Sequence, residues 1–78
     1  MDIHHLIKLA NNVGTFFDSE PDRAKAAQGV ANHLRSFWEP RMRRQILAYL
    51  DEQNGAGLSE LVLVALRTHH KELTPPKQ

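Results

Sequence analysis

The sequence predicts an all-α fold, and three observations predict it. Leu, Ala, Arg and Glu dominate and β-branched residues are few. Apolar residues recur three and four apart along most of the chain. Cap, proline and glycine signals then divide it into four helical segments with short links. The expected architecture is a small four-helix bundle over residues 1–72, followed by a flexible tail over 73–78.

The first helix is expected from about Asp2, a plausible N-cap, to Phe17. Ile3, Leu6, Ile7, Ala10, Val13 and Phe17 form one stripe, widened by Leu9 and Phe16. His4, Lys8, Asn11 and Thr15 face water in this reading. The second helix is expected to start at Ser19, with Pro21 in its first turn and Glu20 and Asp22 at the positive end of its dipole. Ala27, Val30, Ala31, Leu34, Phe37 and Trp38 make its apolar side. The Ala-rich run around Gly29 suits close helix approach, although Gly29 costs about 1 kcal/mol of helix propensity.

Pro40 disfavours helical geometry at Glu39. The second helix should therefore end at Trp38, and Pro40 should open the third. Met42, Ile46, Tyr49 and Leu50 form the third stripe, and Asn54-Gly55-Ala56-Gly57 reads as a C-cap and turn. The fourth helix should start near Ser59, with Leu58 stapled against Leu63. Its run Leu61-Val62-Leu63-Val64-Ala65-Leu66 is apolar around most of the circumference, and Glu60, Arg67 and Lys71 supply one polar strip. So apolar a helix in so small a bundle is expected to turn a second face, Leu63 and Val64, toward another chain.

At 78 residues the chain has room for one domain, whose core supports only ~3–5 kcal/mol of net stability. Docking on a partner is a natural supplement. Without cysteine there is no disulfide or thiolate metal site. The start of the chain lacks signal-peptide character and no apolar run is long enough to span a membrane, so a cytoplasmic protein is expected.

Five histidines, His4, His5, His33, His69 and His70, raise a metal hypothesis. Adjacent histidines on a helix diverge by about 100° and make a poor chelate. No nucleophile elbow, phosphate-cradling loop or nucleophile–base pair appears, so no catalytic residue is assigned.

The most distinctive stretch runs from Leu34 to Arg44. It joins Phe37 and Trp38, the Pro40 break, and Arg35, Arg41, Arg43 and Arg44, with only Glu39 to oppose them. Its simplest reading is a helix–helix corner with Trp38 closing the core. Its functional reading is a partner-binding surface made by Arg35, Trp38, Pro40, Arg41, Arg43 and Arg44. Arg43 falls on the flank of the apolar stripe and should be the most buried of the third helix's arginines, needing an acceptor from Glu39 or a partner. A helix-turn-helix DNA reader is the rival. The net charge of only +1, the missing turn glycine and the lack of base-reading side chains other than Gln45 count against it. Self-association is a third reading, with a homodimer of the isolated chain as its expected form.

Three blocks carry a family resemblance: Leu6 to Gly14 with Phe16-Phe17; Ala31 to Arg35 with Phe37-Trp38-Glu39-Pro40-Arg41-Met42-Arg43; and Gly57-Leu58-Ser59 with Leu61-Val62 and Ala65-Leu66. Together they resemble the small delta subunit of soluble, NAD-dependent, molybdenum-containing formate dehydrogenases. Glu39 stands where that pattern has Asp, and Leu63 and Val64 stand where it commonly has charge. The resemblance implies an accessory subunit with no chemistry of its own. Its partner would be the large molybdenum-bearing catalytic subunit, whose assembly, cofactor retention or stability it would support. The molybdenum cofactor, iron–sulfur clusters, FMN and NAD would all belong to partner subunits, with none bound by this chain.

Overall fold

The computed structural model describes residues 1–76, which form five helices: α1 (Ile3–Phe17), α2 (Arg23–Phe37), α3 (Pro40–Gln53), α4 (Glu60–Thr68) and the single turn α5 (His70–Leu73). There is no strand among the described residues.

Asp2 caps α1, its Oδ1 accepting the His4 backbone N–H at 2.9 Å. Leu6, Ala10 and Gly14 are buried, and Ile3, Ile7, Leu9, Val13 and Phe17 pack on the edge of the core. α2 starts three residues later than the Ser19 cap implies. Pro21 pushes Glu20 out of helical geometry, and Asp22 is the better cap. Its Oδ1 accepts from the N–H groups of Ala24 and Lys25 at 3.1 and 3.3 Å. The link before it is held by Arg23, whose guanidinium donates to the carbonyls of Asp18 and Glu20 and to Asp18 Oδ1.

α2 ends at Phe37, because Trp38 and Glu39 are both extended, with ψ of 134° and 152° ahead of Pro40. α3 runs from Pro40 to the left-handed Asn54 (φ 57°), and the turn through Gly55 and Gly57 also needs positive φ. Ser59 caps α4, and Leu61, Val62, Ala65 and Leu66 are buried there.

The expected fourth helix is interrupted. α4 stops at Thr68, His69 is buried in a non-helical conformation with its Nδ1 3.2 Å from Glu72 Oε1, and Lys71 belongs to α5. This break swings Leu73 into the core, where it is 1% exposed, and Pro75 is buried after it. The tail expected from Leu73 is therefore packed at least to Pro75. Lys77 and Gln78 lie outside the described residues.

α2 lies chiefly on α4 and also touches α5, while α1 packs on α2, α3 and α4. α2 and α3, consecutive in the chain, touch only marginally. The arrangement thus departs from an up-and-down bundle of sequential neighbours, because the two extended residues at Trp38-Glu39 turn α3 away from α2. α1 and α4 meet where α1 has no side chain: a Cβ on Gly14 would lie 2.8 Å from Val62 Cγ2. Gly29 does the same for α1 and α2, lying under the Phe17 ring. One core results, built from all five helices, with Leu6, Leu34, Ile46, Leu66 and Leu73 fully buried.

Candidate partner-binding surface

The corner between α2 and α3 divides its two aromatics sharply. Trp38 is 8% exposed and belongs to the core. The extended backbone at position 38 turns this expected contact residue inward, as the core's lid. Phe37, by contrast, is 74% exposed. Periodicity places it inside the apolar arc of α2, but it sits on the last residue of the helix, and α3 leaves the corner without covering it. Its ring leans on the half-buried His33 ring with centroids 4.8 Å apart. Phe16, expected in the α1 stripe, is also exposed, its ring edge-on to Phe17 at 5.0 Å. Sequence spacing carries no signal for either exposure, since it does not say where a neighbouring helix stops.

Arg35, Pro40, Arg41 and Arg44 are exposed and Arg43 is half-buried, the ranking expected of the arginines. Among the described residues Arg23 pairs with Asp18, and the His69 and His70 rings lie 3.2 Å from Glu72 and Asp51, so no such contact engages a corner arginine. Glu39, one turn before Arg43, neither pairs with it nor caps α3 with its side chain. Arg43 Nε is occluded from solvent without a hydrogen-bond partner. An unpaired polar group in that position costs roughly 1–3 kcal/mol. The first turn of α3 also contains no acidic residue, so Arg41 and Arg43 sit against the positive end of the helix dipole.

The second expected surface lies on α4. Leu63 is half-buried and Val64 is 43% exposed, whereas the other four apolar residues of that run are buried. Val64 borders a groove of about 420 Å³ between the end of α1 and the start of α4, lined also by Thr15, Asp18, Arg23, Ser59 and Glu60. Its one arginine is already tied to Asp18, so the groove offers no free cation to select an anion. Among the described residues no three His, Asp or Glu side chains converge to hold a metal ion. With no cysteine in the chain, its residues do not fit an iron–sulfur cluster.

Fold and surface together define a small all-helical domain, with one core and a basic, partly aromatic corner. The family model of the NADH-dependent formate dehydrogenase delta subunit, FdsD, matches residues 5–66, from the first turn of α1 to Leu66 of α4 and including the whole corner. The chain belongs to that family, and so is the delta subunit of an oxidoreductase complex. No curated protein and no solved structure matches it. No helix among the described residues is long and apolar enough to cross a membrane.

Proposed function

We propose that this chain is a non-catalytic accessory subunit that docks on the large molybdenum-bearing subunit of formate dehydrogenase and supports its assembly, cofactor retention or stability. Family membership is the observation that carries the reading. Exposed apolar and cationic side chains support a docking role. In this reading the molybdenum cofactor, iron–sulfur clusters, FMN and NAD are bound by partner subunits, and the delta chain holds none of them.

The means is mass action. A subunit that binds only the mature conformation of its partner draws the folding equilibrium toward that conformation. The contact surface consists of Arg35, Pro40, Arg41, Arg43 and Arg44 at the corner and Leu63 and Val64 on α4, with Trp38 holding the corner in shape from inside. Co-expression of the large subunit with and without this chain tests the role. The expected result is co-purification, with higher molybdenum content and slower thermal inactivation when the chain is present. No co-purification, with molybdenum content and inactivation unchanged, would reject it.

A further inference from the structure

We propose that the α2–α3 corner is a carboxylate-binding surface: Arg35, Arg41, Arg43 and Arg44, with the exposed Phe37, receive an acidic, partly apolar segment of a partner formate dehydrogenase subunit. The inference rests on the accessory-subunit reading and adds the place and chemistry of the contact.

Charge gives the first argument. The corner's four arginines against Glu39 make +3, in a chain whose total is +1, so everything outside the corner sums to −2. The positive charge is concentrated, and no acid of this chain neutralises it among the described residues.

The fold gives the second. Folding alone does not account for Arg41 and Arg43 in the first turn of α3, where the dipole opposes them and the one nearby acid, Glu39 at the N-cap, bonds neither to them nor to the helix end. Nor does it account for Arg43 Nε, desolvated without an acceptor. A residue type that breaks a local preference without an internal gain points to an external one. An incoming carboxylate supplies that gain, since a guanidinium matches it with paired hydrogen bonds.

Phe37 gives the third and separates the occupants. An exposed ring set among the arginines in sequence, between Arg35 and Arg41, suits a protein surface, where aromatic and Arg side chains carry much of the binding energy. Sequence-specific nucleic-acid recognition would require base-edge readers. The corner's one such side chain, Gln45, already donates its amide to the Met1 carbonyl.

The test compares the full-length chain with R41E/R44E, F37A and the control K25E/R67E, each co-expressed with tagged formate dehydrogenase subunits. All the substituted positions are exposed, so far-UV circular dichroism should not change. R41E/R44E should lower retention of the delta chain about tenfold or more, and wild-type retention should fall as salt rises. F37A should lower retention without altering its salt dependence, and the control should stay within about twofold of wild type. The surface assignment is overturned, with the accessory role intact, if wild type is retained and both corner variants match it. Failure of wild type to be retained by any subunit would overturn the accessory role as well. Binding to a short DNA duplex, lost in R41E/R44E while subunit retention persists, would overturn it in favour of nucleic acid.

Discussion

Asn11 holds Ser59 across the molecule: its Oδ1 accepts the Ser59 backbone N–H at 2.8 Å, and its Nδ2 donates to the Gly57 carbonyl at 2.9 Å. One amide of α1 thus grips the chain on both sides of Leu58, just before α4 begins. The helical wheel puts Asn11 in water, and the structure instead places it half-buried at the α1–α4 contact. Asn11→Ala hands both backbone groups, on the exposed Gly57 and Ser59, to water and should cost about 0.5–1.5 kcal/mol per bond. Asn11→Asp keeps the acceptor and loses the donor, so it should fall between wild type and Ala. Urea unfolding monitored by circular dichroism orders the three, and equal midpoints would show the bridge to be inconsequential.

Gly14 lies one turn further along the same contact. Alanine there gains about 1 kcal/mol of helix propensity, but its Cβ would meet Val62 Cγ2 at 2.8 Å and Ser59 Oγ at 3.2 Å. Overpacking of this kind costs typically about 1–3 kcal/mol, so Gly14→Ala should be net destabilising. Shortening the opposing side chain should relieve it: in a double-mutant cycle, Val62→Ala should cost less in the Gly14→Ala background than in wild type. Strict additivity would mean that α1 and α4 do not touch there.

Neighbours in sequence, Phe37 and Trp38 should respond oppositely to truncation. Trp38→Ala empties a core site and should cost about 3–5 kcal/mol, which is comparable with the whole stability of so small a domain. The variant chain should lose much of its helicity at room temperature. Phe37→Ala removes an exposed ring and should shift the thermal midpoint little. Matching melting curves for the two variants would contradict their placement.

The contrast shows what was legible in advance. Helix starts at Asp2 and Ser59, the Pro40 opening and the Asn54 turn follow from local chemistry: a side-chain oxygen near free N–H groups, a ring that fixes φ, a residue that tolerates positive φ. The same logic ranked Arg43 as the most buried arginine of α3. What was not legible depends on where other helices stop. Phe37 and Phe16 lie on apolar arcs yet overhang the ends of their contacts, and Asn11 finds its partners 46 and 48 residues away. Two local signals mislead for want of a competitor: Ser19 yields to Asp22 as the cap of α2, and the break at His69, which buries Leu73, has no mark in the helical spacing.

That burial makes the C-terminal segment a test of its own. Were residues 73–78 a flexible tail, their deletion would leave stability unchanged. With Leu73 at 1% exposure and Pro75 buried, deletion should cost at least as much as Leu73→Ala, about 2–5 kcal/mol. Deleting only Lys77 and Gln78 is the matched control. Identical denaturation midpoints for the full-length chain and the chain ending at Glu72 would restore the tail reading.

Arg43 is where stability and binding should part. Arg43→Met keeps most of the aliphatic stem and removes the desolvated Nε that has no partner in the free chain. Replacing an unsatisfied polar group with an apolar one of similar shape is near neutral or stabilising, so the isolated variant should unfold at the same temperature as wild type or up to several degrees higher. If a partner carboxylate completes Arg43 in the complex, the same change should weaken co-purification with formate dehydrogenase subunits about tenfold or more. Arg43→Lys discriminates further, because it retains the charge without the planar fork and should restore only part of the binding. A variant with lowered stability and undiminished binding would mean that Arg43 serves the fold, and that its guanidinium finds its acceptor within this chain.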